Sequence, residues 1–138
     1  VEVLLECGGK SEPVTCVSMG NPHCVLFVDD VNAVDIAGIG RQIETDPLFP
    51  ERVNVEFVHV IDPTHIKMRV WERGSGETYA CGTGACAAVV ASVLNGKVKK
   101  GDDVSVRLLG GELIINYNDE TVYMTGDACE VFRGVVRL

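Results

Sequence analysis

Residues 80–96, "ACGTGACAAVVASVLNG", decide how the rest of the chain is arranged. From residue 83 to residue 94 the run is apolar on every side: Ala85, Cys86, Ala87, Ala88, Val89, Val90, Ala91, Val93 and Leu94 leave no polar face. A helix of that kind has to be buried all round. Its small side chains permit close approach by the strands around it. Asn95-Gly96 then supplies a C-terminal stop, because glycine takes the left-handed turn that ends a helix.

Strands are what the flanking sequence offers to bury it. Val1 to Leu5 is strand-like. Val14 to Val28 holds two β-rich runs broken at Gly20-Asn21-Pro22, which interrupts a ladder and places Asn21 and His23 at a kink or strand edge. Ile36, Ile39 and Ile43 mark a short amphipathic helix over 33–44, weakened by Gly38 and Gly40. "TDPLFPER" is a loop held by Pro47 and Pro50, and Val53 to Ile61 reads as a strand. Ile66 to Glu72 alternates, with Ile66, Met68 and Val70 on one face and Lys67 and Arg69 on the other. Gly74-Ser75-Gly76 is a turn, followed by a short strand over Thr78 to Cys81. Val104 to Leu109 and Leu113 to Tyr117 form a hairpin about Gly110-Gly111, and strands follow at Val122 to Thr125 and Val131 to Val136. The expected fold is α+β: a barrel-like sheet of short strands wrapped around a buried central helix.

At 138 residues the chain suits one domain, 1–138, with a real core. Hydrophobic residues make up 46%, charged residues 23%, and the net charge is −8. No basic cluster exceeds Lys97, Lys99 and Lys100, which argues against nucleic acid. A small anionic ligand must then be held by local donors rather than by a general positive field. No apolar stretch approaches the roughly 18 residues of a membrane span, and no signal peptide is visible. The six cysteines are read as reduced, which points to the cytoplasm. The chain begins inside a strand-like run without an initiator Met, as a piece of a longer polypeptide would.

Cys81 stands where a strand gives way to the buried helix, followed by Gly82, Thr83 and Gly84. The first N–H groups of a helix lack intrahelical partners and, with the macrodipole, form an anion site. Gly82 and Gly84 remove side chains that would block it. The helix end is expected to lower the Cys81 pKa and favour thiolate. A thiolate beside a carboxylate cradle suits nucleophilic attack, with His23 as base. It equally suits removal of a proton α to a carboxylate. The competing reading is a small core residue.

Cys86, inside the apolar run, reads as core. Cys81, Cys86 and His23 make poor zinc spacing, so no metal is expected. His59 and His65 read as surface or edge residues. Glu72 and Arg73 offer an acceptor for an ammonium group and a fork for a carboxylate, although their spacing alone favours a solvated strand end. Asn54, between Val53 and Val55, is either a satisfied core amide or a substrate ligand.

Taken together, "VSMGNPHCVLFVDD", "FPERVNVEFVHV", "VWERGSGETYACGTGACAAVVA" and "YMTGDACEVFRG" resemble the C-terminal half of the diaminopimelate epimerase family, through nearly the whole chain and in order. The resemblance implies a cofactor-independent interconversion of LL- and meso-diaminopimelate by two cysteines on opposite faces of the α-carbon. It would place the protein in lysine and peptidoglycan precursor biosynthesis. Cys81 would be one of the pair. Gly82 and Thr83 would bind the α-carboxylate, while Asn21, Asn54, Glu72 and Arg73 would bind the substrate's polar groups. His23 and Glu72 would tune the thiol pKa.

The companion motif C-G-N-G, which carries the family's other cysteine, does not occur here. The implied partners are therefore diaminopimelate and an N-terminal half, against which the last strand would pack. Homodimer formation is left open. The chain alone is expected to be inactive. The alternatives are a related amino- or imino-acid racemase or isomerase, and a non-catalytic carboxylate-binding or thiol-redox module.

Overall fold

The computed structural model describes residues 2–7 and 9–138. Among them the elements run β1 (Glu2–Cys7), β2 (Lys10–Ser18), β3 (Pro22–Phe27), α1 (Ile36–Glu44), β4 (Asn54–Asp62), β5 (His65–Glu72), β6 (Gly76–Thr78), α2 (Gly82–Leu94), β7 (Asp103–Leu108), β8 (Gly111–Tyr117) and β9 (Val122–Thr125). All strands join one sheet in the order β1-β2-β3-β4-β5-β7-β8-β9, with β6 pairing beside β5 off that path. The α+β class stands, as mostly sheet with two helices.

Two joins in the sheet are parallel, β3 to β4 and β5 to β7, and the rest are antiparallel. A parallel join needs a crossover. Each here carries one helix, α1 between β3 and β4 and α2 between β5 and β7. The two helices pack over separate hydrophobic clusters, and strand alternation sorts the side chains between them. Val25, Val58, Ile66, Met68 and Val70 lie with α2. Cys24, Leu26, Val55 and Phe57 lie with α1. The central strands are therefore buried on both faces, which explains the nearly unbroken apolar runs of β3 and β4.

Helix α2 contacts β2, β3, β4, β5, β8 and β9. Residues Gly84 to Ser92 are all buried in it, as its all-apolar composition requires. Its stop is a Schellman motif: Gly96 adopts φ +67°, its N–H reaches the Val93 carbonyl, and Lys97 N–H reaches that of Ser92. Helix α1 starts on Asp35, whose carboxylate accepts from Gly38 N–H at 2.9 Å. Gly40 is not simply a weak helix former. A Cβ there would lie 2.6 Å from that of Trp71, so the glycine is what lets α1 seat on β5. No helix among the described residues is long and apolar enough to cross a membrane.

Two expected strands differ. The short strand expected over Thr78 to Cys81 is instead Gly76–Thr78, because Cys81 is already committed to capping α2. Val131 to Val136 pairs with no strand among the described residues, and Val131, Phe132 and Val135 are more than four-fifths exposed. The neighbour expected for this stretch lies in an N-terminal half, and a ladder needs both strands.

Candidate active site

The site is built at the start of α2. Cys81 is the N-cap: its backbone is extended (φ −138°, ψ 109°), and its sulfur accepts from Gly84 N–H at 3.3 Å. Thr83 Oγ1 lies 3.6 Å from the same sulfur. Sulfur is an unusual cap, since oxygen side chains accept better. The cap fixes the thiol at the positive end of a buried helix with its donors already in place. Gly82 is close to β9, where a Cβ would approach Met124 Sδ at 3.0 Å. The glycines around Cys81 thus serve packing as well as access.

Strand β3 brings the next groups. The kink at Gly20 (φ +92°) turns Asn21 toward α2, and its Nδ2 donates to Thr83 Oγ1 at 3.3 Å. Asn21 Oδ1 lies 3.0 Å from His23 Nε2. His23 is 1% exposed, and its Nδ1 lies 2.6 Å from Glu56 Oε1 on β4. Glu56 is wholly buried, and its second oxygen has no partner. Sequence reasoning missed Glu56. The available signal was a carboxyl inside the apolar strand "VNVEFV", since Glu is almost never fully buried unless paired.

Asn54 is a satisfied amide. Its Nδ2 donates to the Pro22 carbonyl at 3.0 Å, and its Oδ1 accepts from Arg73 N–H at 2.9 Å. It ties the start of β3, next to Asn21, to the turn after β5 at Arg73. The Glu72 carboxyl accepts from Thr78 Oγ1 at 2.5 Å, which pins it across the hairpin. The Arg73 guanidinium donates to the Glu51 carbonyl at 3.1 Å, on an exposed side chain. Glu44, on α1, was also missed. Its carboxylate accepts from Trp71 Nε1, Gly74 N–H and Arg52, bracketing Glu72 and Arg73 from the far side of the sheet.

The expected lowering of the Cys81 pKa is corrected. Burial is the largest influence and pushes the thiol up. The Thr83 hydroxyl and Gly84 N–H pull it down, while the Glu72 and Glu56 carboxyls, when ionised, add to the rise. The helix start does act in the expected direction, but desolvation of a half-buried sulfur outweighs it. Cys81 therefore rests as the thiol near neutral pH. Cys86, in the helix interior, is core as expected, and burial raises its thiol too.

Asn21, His23, Cys81 and Thr83 thus form one hydrogen-bonded group with Glu56. Glu72 acts on Cys81 by charge, and Asn54 and Arg73 adjoin through the backbone.

The model of the family described as diaminopimelate epimerase matches residues 15–131. Diaminopimelate epimerase of Trichodesmium erythraeum is 57% identical over 99% of the chain, and that of Acetivibrio thermocellus 57% identical over 97%. The chain spans about half the length of these curated relatives, 49% and 48%. Among solved structures, a "probable proline racemase" from Agrobacterium radiobacter K84 matches 96% of this chain and 50% of its own. It does so at TM-score 0.59 and 16% identity. A PhzF-family phenazine biosynthesis protein from Bacillus anthracis matches 80% of this chain and 37% of its own, at TM-score 0.55 and 19% identity. Those two likenesses carry the fold alone. By its family model and by curated relatives identical at more than half of aligned positions, the chain belongs to the diaminopimelate epimerase family.

Proposed function

We propose that the chain is one half of a cofactor-independent epimerase that interconverts LL- and meso-diaminopimelate, with Cys81 as one of two proton-transferring sulfurs. The observation that carries the reading is the cap itself: a thiol held at a buried helix start, with Gly84 N–H donating to it and the Thr83 hydroxyl 3.6 Å away, in reach to donate once the thiolate forms. Such donors are worth little to a resting thiol and more to the thiolate that forms when it gives up its proton, which is how a catalytic acid is favoured.

In this reading the substrate α-carboxylate lies over the first turn of α2, against the Gly82 and Thr83 N–H groups. Asn21 and Arg73 meet its polar ends, with Asn54 holding both in place. His23 and Glu72 set the environment of the thiol. From its resting form Cys81 delivers a proton to one face of the α-carbon. A sulfur from an N-terminal half, as thiolate, removes the original proton from the other face. One C–H bond breaks, one forms, and the two sulfurs exchange protonation states. No electron acceptor is required. The sheet, in the same reading, curls barrel-like about α2, so that the helix start faces the second half. Lysine and peptidoglycan precursor synthesis in the cytoplasm is the matching context.

The test joins this chain to an N-terminal half carrying the second cysteine and follows LL-diaminopimelate in deuterated water. The joined protein should interconvert the isomers with solvent deuterium entering at the α-carbon, and Cys81→Ala should abolish interconversion. The 138-residue chain alone should show none. Retained epimerisation in Cys81→Ala, or turnover by the isolated chain, overturns the reading. Ligand binding without exchange would mark a carboxylate-binding module instead.

A further inference from the structure

A buried carboxyl with one unpartnered oxygen is a costly thing to keep in a core. Glu56 is such a group: it is 0% exposed, Oε1 lies 2.6 Å from His23 Nδ1, and Oε2 has no partner. The other ring nitrogen of His23 lies 3.0 Å from Asn21 Oδ1, which can only accept. Nε2 must therefore carry a hydrogen. Nδ1 and Oε1 then share one proton between them, and the ring is either imidazolium beside a carboxylate or neutral beside a carboxylic acid.

The orphaned Oε2 decides between these. An ionised carboxylate would leave a charge-bearing oxygen unsatisfied in the core, whereas the acid leaves only a carbonyl-like acceptor, which costs less. Burial, the largest influence on Glu56, raises its pKa in the same direction against the opposing pull of His23. The ionisable groups facing Glu56 are His23 from β3, Glu72 from the end of β5 and Cys81 ahead of α2. Glu72 as carboxylate favours the acid form further.

The donors then line up. The Glu56 hydroxyl donates to His23 Nδ1, and His23 Nε2–H donates to Asn21 Oδ1. Asn21 Nδ2–H donates to Thr83 Oγ1, which leaves the threonine hydrogen free to point at the Cys81 sulfur 3.6 Å away. Bonds in such a chain polarise one another. Gly84 closes the other side: a Cβ there would lie 2.8 Å from Glu56 Oε1 and 3.1 Å from Cys81 Sγ, so the carboxyl and the thiol border the same small space.

We propose that Glu56 is a positioning residue that holds His23 as its Nε2–H tautomer and thereby aligns a donor chain through Asn21 and Thr83 onto the Cys81 sulfur. Its catalytic consequence rests on the proposed epimerase reading, but the alignment itself does not.

Nitrogen-15 NMR of the His23 imidazole in this chain tests it first. At neutral pH, Nε2 should be protonated and Nδ1 should be an acceptor. Two protonated nitrogens, or the Nδ1–H tautomer, overturn the proposal without any variant. Glu56→Gln keeps an N–H donor for Nδ1 and should keep the tautomer, while Glu56→Leu should lose it. Cys81 alkylation by iodoacetamide at neutral pH should slow about threefold in Glu56→Leu and recover in Glu56→Gln. The sign discriminates, because removing an ionised carboxylate would speed alkylation, and faster reaction in Glu56→Leu overturns the proposal. In a protein carrying both halves, Glu56→Leu should lower kcat about tenfold with KM little changed. If that protein shows no epimerisation even unaltered, the epimerase reading fails while the tautomer and alkylation results still judge Glu56.

Discussion

Replacing Glu44 by Gln probes whether the turn bearing Glu72 and Arg73 is held from the opposite face of the sheet. Glu44 is 5% exposed at the end of α1. One carboxylate oxygen accepts from Trp71 Nε1 at 2.7 Å, and the other accepts from Gly74 N–H at 2.8 Å and Arg52 Nη1 at 3.3 Å. Gln keeps the shape and one oxygen but turns an amide NH2 toward a donor. The least damaging placement faces Trp71, which loses one charge-assisted bond and leaves one buried N–H without an acceptor. Hydrogen bonds to ionised groups contribute about 1.5–3 kcal/mol, and an orphaned buried donor costs about 1–3 kcal/mol, so about 3 kcal/mol is expected. Arg52 is largely exposed and adds little. For a domain of this size the loss corresponds to a Tm lowered by about 10 °C. Thermal melts and urea titrations at neutral pH measure it directly.

The same substitution carries a pH signature. Burial pushes the Glu44 carboxyl up, but the Trp71, Gly74 and Arg52 bonds outweigh it and hold the folded-state pKa below its ordinary value. Stability from such a group is present above the unfolded value of about 4.3 and is lost as pH falls through the lower folded value. The gap between the natural chain and Glu44→Gln should therefore be full at neutral pH and shrink in acid below about pH 4. A difference under about 0.5 kcal/mol at neutral pH, the scatter of ordinary surface changes, would refute the clamp. So would a gap that acid leaves unchanged.

Two further outcomes follow from the same geometry. Cys16 and Cys24 stand directly opposite on β2 and β3, and the Cys24 thiol's hydrogen bond lowers Cys16 to about 7 against burial that raises it. In pH-dependent alkylation read by peptide mass mapping, Cys16 should label with a midpoint near neutrality, well below Cys86; equal rates for the two at neutral pH would count against this. Gly84→Ala should destabilise the chain in urea, because overpacking costs about 1–3 kcal/mol against the roughly 1 kcal/mol alanine gains in a helix. It should also alter Cys81 alkylation, since the new methyl meets both the Glu56 carboxyl and the thiol. An unchanged alkylation rate would show that the two groups do not share that space.

Most of the strand pattern was legible because the apolar runs and their breakers agree. Gly20-Asn21-Pro22 separates β2 from β3, and Gly110-Gly111 lies at the β7–β8 turn. The all-apolar run predicted a buried helix, and α2 is buried from Gly84 to Ser92. What the pattern could not carry was competition between neighbours. The sequence puts Cys81 at a strand end, and it is a helix cap; alternation over Val131 to Val136 predicts a strand packing against an N-terminal half, and it pairs with none among the described residues. At the site, residue type and position mark Cys81 and Thr83 at the helix start and His23 in the kink, the family resemblance adds Asn21, and the four do meet. Glu44 and Glu56 escaped notice because a lone carboxyl in sequence looks like surface, and only the fold reveals what it faces. The sign of the Cys81 shift was misjudged for the same reason: helix position is written in the sequence, but desolvation depends on everything packed around it.

That last difference bears on the role proposed for Cys81. A thiol lowered by the helix end would rest as thiolate and wait to take a proton. The raised thiol rests protonated, with its stabilising donors arranged for a state it does not yet occupy. In the proposed epimerase, pre-placed donors cost nothing at the moment of transfer, so their effect would fall on the step that makes the thiolate. The sheet makes this arrangement affordable to keep. Alternation along β3 and β4 sends His23 and Glu56 to the α2 face, while Cys24, Val55 and Phe57 fill the α1 face. The polar chain is thereby confined to one side of two strands that are otherwise core. On the other side, Glu44 reaches the end of β5 and fixes the turn that brings Glu72 toward Cys81. Among the described residues each face holds a buried carboxyl with the opposite shift: burial raises both, but the donors to Glu44 outweigh it, whereas the pull of His23 on Glu56 does not. The first favours folding at neutral pH; the second withholds stability there and is explained by what it does for His23.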